Sequence, residues 1–317
     1  GKSPVLIFED ADIERALDAA KAVAIPLDRE VIHILPQEYI VDDQRGIADP
    51  MGMAGVRLEV KVHIVTGAVT SAQNIVRSCH KSGLDVSDIV LESLASAKAV
   101  LTEEEREIGV ALIDLGGGTC DIAIFANDSI KHTGVLALGG QNLTNDIAFG
   151  LRTPMAAAEK IKIKHGAAIA EMVRPDEYIE VPSVGGREPR RLSRQVLAEI
   201  CEPRMEEILT LLDQELVRSG LKNMIGAGVV LTGGTALIQG CQELGEQVFN
   251  LPTRIGYPRN VGGLKDMVNS PKFATAMGLL RFGAEKEGME QKFRIRSDGN
   301  VFNSILSRMK KWFSEIS

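Results

Sequence analysis

Paired cysteines, long apolar runs and an excess of positive charge are all missing from this 317-residue chain. Its four cysteines, Cys79, Cys120, Cys201 and Cys241, lie far apart with no CxxC pair. That spacing suits reduced thiols better than a disulfide framework or a zinc site. No apolar run approaches the ~20 residues that a spanning helix needs, and the N-terminus lacks the layout of a secretory signal. Lys and Arg number 36 against 43 Asp and Glu, a net charge of −7, which argues against a nucleic-acid binder. No internal repeat of fixed period is visible. What is present is an ordinary globular composition, 44% apolar and 25% charged, which predicts a packed core spread over about two domains. The chain opens at Gly1 without a methionine, inside an apolar run of strand type, so a fragment of a longer protein is expected.

Residues 4 to 83 read as a small α/β unit. Residues 4–8 and 31–35 are short strand-like runs, and over 12–23 Ile13, Ala16, Leu17, Ala20 and Val23 share one helical face. Over 56–65, Val56, Leu58, Val60, Val62 and Ile64 alternate with Arg57, Glu59, Lys61 and His63. Such alternation predicts a strand with one face packed and the other against water or a partner. A helix follows with Ala72, Ile75, Val76 and Cys79 inward and Gly83 just past its end. Another spans 89–100 and runs into Glu103-Glu104-Glu105, which reads as a solvated helix end. Strands are expected at 108–113, 121–125 and 228–232. Residues 144–217 are helical in pattern apart from the Pro/Gly-rich 182–189, and Ala236, Leu237, Cys241, Leu244, Val248 and Phe249 repeat at helical spacing. Residues 284–300 have the composition of a linker.

The strongest chemical signal is Asp114-Leu-Gly-Gly-Gly-Thr-Cys-Asp121. Three successive glycines between strands let backbone N–H groups approach a ligand where a Cβ would clash, forming a concave row of donors suited to phosphate oxygens. Asp114 is placed to hold Mg²⁺ directly or through its water shell, and Thr119 supplies a hydroxyl. The competing reading is a plain glycine-rich hairpin. A second loop, Thr232-Gly233-Gly234-Thr235, again follows a strand and precedes a helix. Two such loops point to a cleft that takes a nucleotide.

These residues carry a resemblance. Asp114 to Thr119 resembles the second phosphate motif of the actin–hexokinase–Hsp70 superfamily, and Gly228-Val-Val-Leu-Thr-Gly-Gly234 resembles its adenosine motif. Phe273-Ala-Thr-Ala-Met-Gly-Leu-Leu280 resembles its closing helix. Four stretches are similar to the FtsA family of bacterial cell-division proteins: His33-Ile-Leu-Pro-Gln-Glu-Tyr39, the strand from Gly55 to Ile64, Val181-Pro-Ser-Val-Gly-Gly-Arg187, and Leu197-Ala-Glu-Ile-Cys-Glu-Pro-Arg204. The resemblance implies an α/β, actin-like (ribonuclease H-like) two-lobed fold with an inserted small α/β subdomain and a C-terminal amphipathic helix. It implies a small subdomain at 1–83, a first-lobe helix at 84–107, and a second-lobe nucleotide core at 108–154 and 226–270. A helical partner-binding subdomain at 155–225, a closing helix at 271–283 and a linker at 284–300 complete the division.

It implies ATP and Mg²⁺ as cofactors, with Asp114, Gly116, Gly117, Gly118 and Thr119 at the phosphates, Gly233, Gly234 and Thr235 near adenosine, and Glu159 and Lys162 near the ribose. The family's first phosphate loop lies N-terminal to Gly1, so this chain alone is expected to bind ATP weakly and to show at most weak ATPase activity. By the same resemblance, Arg190 and Arg204 bind the C-terminal peptide of the tubulin-like FtsZ or act in self-association into filaments, and the small subdomain meets other division proteins.

The last expectation rests on the residues themselves. In 301–317, Val301, Phe302, Ile305, Leu306, Met309, Trp312, Phe313 and Ile316 form one apolar stripe that includes the only Trp of the chain. Arg308, Lys310 and Lys311 against Glu315 leave this segment cationic. Such a helix suits an anionic membrane surface, with Phe302 to Phe313 among acyl chains and Lys310 and Lys311 at headgroups. The alternative is a helix docked on the protein's own core. Together these readings describe a peripheral protein on the cytoplasmic face of the inner membrane at the division site. A type IV pilus assembly protein of similar fold, an Hsp70-type ATPase and a small-molecule kinase are the competitors.

Overall fold

The computed structural model describes residues 6–185, 187–260 and 268–296, with side chains as far as Glu285. Its centre is a five-stranded sheet ordered β12-β11-β6-β7-β8, formed by β6 (Val110–Leu115), β7 (Cys120–Ala126), β8 (Ser129–Leu136), β11 (Val229–Thr232) and β12 (Thr253–Ile255). β7 runs antiparallel to β6 and to β8, whereas β11 runs parallel to β6 and to β12. Every residue of β6 and β7 is buried, which explains why both strands are apolar apart from Asp114 and Asp121 rather than alternating. Their two faces serve different layers. Ile113, Leu115, Ile122 and Ile124 pack with Leu143 and Ile147 of α5 (Gly140–Gly150) and with Leu197, Met205 and Leu212 of α7 (Arg194–Arg218). Val110, Leu112, Ala123 and Phe125 pack with Ala97 and Val100 of α3 (Glu92–Val100) and Ala274 of α9 (Ala274–Arg296). α3 and α9 cross at Gly278, where a Cβ would lie 1.8 Å from the Ala95 carbonyl oxygen.

The N-terminal unit is a three-stranded antiparallel sheet, order β3-β2-β5, of β2 (Arg29–Val41), β3 (Gln44–Ile47) and β5 (Leu58–Ala68). α1 (Asp10–Lys21) packs against it, and α2 (Val69–Lys81) follows. β1 (Leu6–Ile7) and β4 (Ala54–Gly55) pair at its margin. Gly83 takes φ +76 after α2; its N–H bonds His80 O and that of Leu84 bonds Cys79 O, a Schellman closure of the helix.

Several expectations need correction. Val23 lies past the end of α1 and is exposed, while Ile13, Ala16, Leu17 and Ala20 form its half-buried face. Val56 is exposed ahead of β5, and Ile75 points to solvent where Ala72 is buried. The alternation of β5 holds from Leu58 to Lys61 and then stops, because β8 comes against its second face. β2 is thirteen residues long rather than five; it continues through Pro36, which has no N–H for the ladder, by a register shift between Pro36 and Glu38. Ile108 ends α4 (Glu103–Ile108) instead of opening β6. Within α4, Glu105 is no free surface charge: it closes a capping box with Thr102 and grips both Nε and Nη2 of Arg254 in β12.

β3, β4, β8 and β12 escaped the pattern, as did the hairpin of β9 (Tyr178–Val181) with β10 (Arg190–Ser193), which lies inside the stretch expected to be helical. Leu237 is exposed in a short 3-10 turn rather than on α8 (Cys241–Phe249). Residues 284–296 continue α9 where a linker is expected, since Ala, Glu, Lys, Gln, Met and Arg are strong helix formers whatever their charge. The tail residues 301–317 lie outside the described residues.

Candidate functional site

The end of β6 delivers Asp114 and Leu115 to the edge of the sheet, and the chain turns back through Gly116-Gly117-Gly118 to enter β7. The Gly116 N–H closes the turn on Thr119 O at 3.0 Å, and a Cβ on Gly116 would meet that oxygen at 2.8 Å. Gly117 and Gly118 face open space, with nothing within 4 Å of a Cβ position. The turn is held from behind by a second glycine pair at the start of α5. The N–H groups of Gly140 and Gln141 donate to the carbonyls of Gly116 (2.9 Å) and Gly117 (2.7 Å). A Cβ at Gly139 would lie 2.7 Å from Gly117 O, so only glycine permits this approach. Gly139 and Gly140 were not singled out in the sequence, although a Gly-Gly step just before a helix is a legible signal.

Asp114 forms the floor. It is 4% exposed and lies opposite Thr232 in the parallel ladder of β6 and β11. Its Oδ2 accepts from Ser96 Oγ of α3 at 2.6 Å and Thr275 Oγ1 of α9 at 3.3 Å. Burial raises its pKa above the ordinary carboxylate value, and the two hydroxyls oppose that shift. Gly233 adopts φ +86, and a Cβ there would stand 2.4 Å from Asp114 Oδ1. Asp121, also buried, accepts from Thr119 Oγ1 at 3.2 Å; burial raises its pKa, and the Asp114 charge adds to the effect. The Thr119 hydroxyl is therefore turned toward Asp121.

α6 (Met155–His165) supplies the next wall. Lys162, 8% exposed, donates to Gly140 O (2.9 Å) and Thr144 Oγ1 (2.8 Å) and pairs with Glu159 Oε2 (2.8 Å). Thr144 in turn reaches Gly140 O and Glu159. All three ammonium hydrogens have acceptors within the protein, which makes Lys162 a brace of the wall more than a free cation. Thr235 Oγ1 ties the second loop to the first by donating to Gly116 O at 3.0 Å.

These elements enclose a cleft of about 320 Å³. Gly117, Glu159, Lys162, Gly234 and Thr235 of the expected site residues line it, whereas Gly116, Gly118, Thr119, Asp114 and Gly233 belong to the adjoining turns and do not. Lys272, Gly166 and the apolar Ile163, Leu237 and Ile238 complete the lining and were not foreseen. Among the described residues no group of three His, Cys, Asp or Glu side chains forms a metal cage.

Arg190 and Arg204 lie away from this cleft. Arg204 of α7 is bound to Asp146 of α5 by Nε (2.5 Å) and Nη2 (3.2 Å) and also pairs with Glu207. It is neither a solvated charge nor an unpaired one. Arg190 donates to Leu151 O and borders a recess of about 230 Å³ with Arg152 and Arg187.

Comparison with known proteins agrees with this architecture. The family model "Cell division protein FtsA" matches residues 111–278, and the model for the SHS2 domain inserted in FtsA matches residues 7–66. The cell division protein FtsA of Pseudomonas aeruginosa is 51% identical over 308 residues, covering 95% of this chain and 73% of that protein. FtsA of Escherichia coli K12 is 42% identical over 309 residues, with 95% and 73% coverage. Among solved structures, MreB5 of Spiroplasma citri bound to ADP superposes with a TM-score of 0.54 at 20% identity, over 71% of this chain and 68% of that one. The PilM-PilN type IV pilus biogenesis complex gives 0.58 at 15%, over 88% and 74%. From an actin-like core, a matching inserted domain and identity of this extent, it follows that the chain belongs to the FtsA family of cell-division proteins.

Proposed function

We propose that this protein is a nucleotide-responsive, self-associating anchor that ties the FtsZ ring to the cytoplasmic face of the inner membrane and brings other division proteins to it. The observation that carries the nucleotide part is the cleft lined by Gly117 and Gly234, with Gly139–Gly140 packed behind the Gly116–Gly118 turn. α5 draws the carbonyls of Gly116 and Gly117 toward itself, and no protein acceptor among the described residues takes the N–H of Gly117 or Gly118. The fit to ATP is good: open donors for phosphate, an apolar strip of Ile163, Leu237 and Ile238 for the base, and Glu159 for a ribose hydroxyl. Asp114 at the floor is the carboxylate for Mg²⁺, which bound there would offset the phosphate charge. Nucleotide in the MreB5 structure, bound as ADP, supports the same reading.

Arg190, with Arg152 and Arg187 beside it, offers the acidic FtsZ peptide a charged recess; Arg204 acts there by bracing α5 against α7. The PilM likeness keeps the pilus reading in view, but 15% identity against 42–51% to division proteins decides for division.

Gly117→Val tests the cradle. A Cβ at this position has nothing within 4 Å, so the fold should survive, while the phosphate approach is filled. In the full-length protein, ATP affinity by equilibrium dialysis should fall by about tenfold or more. Unchanged affinity with an intact circular dichroism spectrum would place the phosphates elsewhere.

A further inference from the structure

We infer that Thr144 is a positioning residue that couples the ribose side of the cleft to its phosphate turn without itself touching the ligand. This role rests on the nucleotide reading proposed above and deepens it. Thr144 is 1% exposed on α5 and does not line the cleft. Its hydroxyl stands between the two parts of the site. Oγ1 accepts from Lys162 Nζ at 2.8 Å and faces two acceptors for its own proton, Gly140 O at 3.0 Å and Glu159 Oε2. A hydroxyl carries one proton, so a full bond to one acceptor is a weakened bond to the other.

The two acceptors lead in different directions. Glu159 is half-buried and lines the open cleft. Burial raises the pKa of its carboxyl, but the bonds from Lys162 and Thr144 outweigh that and hold it below the ordinary value, so it is ionised at neutral pH. With no ligand hydroxyl on Glu159, the charged acceptor takes the Thr144 proton. A ribose hydroxyl that donates to Glu159 spreads the same charge over one more bond, and the Thr144 proton turns toward Gly140 O. Gly140 anchors the phosphate turn. Its N–H holds Gly116 O at 2.9 Å, the N–H of Gln141 holds Gly117 O at 2.7 Å, and Thr235 Oγ1 holds Gly116 O at 3.0 Å. No slack separates these parts: a Cβ on Gly140 would stand 2.5 Å from Thr235 Oγ1 and 3.2 Å from Lys162 Nζ. A change in the hold on Gly140 O is therefore felt at Gly116 and Gly117.

The test is a thermodynamic cycle on the full-length protein with Mg²⁺, using ATP, 2′,3′-dideoxy-ATP, adenosine and 2′,3′-dideoxyadenosine in calorimetric displacement titrations. Coupling means that loss of the two hydroxyls costs more affinity in the triphosphate pair than in the nucleoside pair. The wild-type protein should show an excess of about fivefold or more, the low end of coupling between sites. Thr144→Val keeps the shape and removes the hydroxyl, so the excess should vanish, whereas Thr144→Ser should retain it. An equal cost in both pairs for the wild-type protein, or an excess that survives in a folded Thr144→Val protein, would overturn the role of Thr144 alone. Should Thr144→Val fail to fold by circular dichroism, Glu159→Gln takes its place: a neutral amide has no charge to redistribute, and an excess that persists there would overturn the coupling. Failure of the wild-type protein to bind ATP would overturn the nucleotide reading and this inference together.

Discussion

At the scale of single residues, the site trades stability for chemistry. Asp114 is ionisable, nearly inaccessible, and held by two neutral hydroxyls rather than by a cation. Burial raises its pKa, so the folded protein holds the Asp114 proton more tightly than the unfolded chain does. For such an acid, the stabilising contribution is full below the unfolded value of 3.8 and is lost as pH rises through the folded value. At neutral pH the charge is therefore carried at a cost. Asp114→Asn should raise the thermal midpoint of the nucleotide-free protein near pH 7, shrink that gain toward pH 4, and weaken Mg·ATP binding. A calorimetric series over pH checks the first two. A lower midpoint near pH 7 would mean that the charged form stabilises the fold. Gly278 marks the opposite kind of position. It holds no functional atom, yet the 1.8 Å that separates a Cβ there from Ala95 O sets how closely α3 and α9 cross, and this crossing brings Ser96 and Thr275 to the same carboxylate.

At the scale of elements, the joint between the small sheet and the central sheet is built from polar contacts. His33 Nε2 in β2 accepts from the Leu91 N–H at 2.9 Å, just ahead of α3. His63 Nε2 in β5 meets Thr133 Oγ1 of β8 at 2.9 Å, and Gln37 Nε2 donates to Ile130 O at 2.8 Å. An Nε2 that accepts an amide proton must itself be unprotonated. Burial lowers the His33 pKa below its ordinary 6.5, against the raising influence of Asp88, and burial with the nearby His132 lowers that of His63. His132 itself faces Glu215 of α7. A histidine with a depressed folded pKa contributes stability above 6.5 that is lost as pH falls through the folded value. Between about pH 7 and about pH 5.5 the thermal midpoint should therefore drop, and His33→Gln, whose amide oxygen accepts without titrating, should flatten part of that drop. An identical pH profile in the variant would show that His33 does not govern the joint.

At the scale of the whole molecule, the proposed anchor depends on a segment whose reading is entirely sequential. Residues 301–317 gather the only Trp, apolar residues at helical spacing and three cations against one acid. Removal of this segment should release the full-length protein from anionic vesicles in a flotation assay without lowering its thermal midpoint. Trp312→Glu should weaken partitioning by about tenfold, given the cost of bringing a charge toward hydrocarbon. Continued flotation of the truncated protein, or a collapse of its midpoint, would mean that the segment belongs to the core.

The local pattern alone located the two glycine turns, and at Gly116 and Gly233 the close approach it announces is real, because a Cβ there would stand 2.8 Å from Thr119 O and 2.4 Å from Asp114 Oδ1. The largely apolar runs that became β6, β7 and β11 likewise identified buried strands before any neighbour was known. β8 and the β9–β10 hairpin were missed although Tyr178, Ile179, Val181, Ile130, Thr133 and Val135 favour strands, because the segments are short and broken by charged residues, and pairing with a neighbour decides their state. The helix from 284 to 296 was hidden too, its charge suggesting a linker while its residue types favour helix. Tertiary structure alone decided what each charge does. Glu105, Lys162 and Arg204 are spent on Arg254, Glu159 and Asp146 across gaps of 149, 3 and 58 residues. Only the Glu159–Lys162 spacing is visible along a helix; the rest depends on which distant element the fold lays alongside.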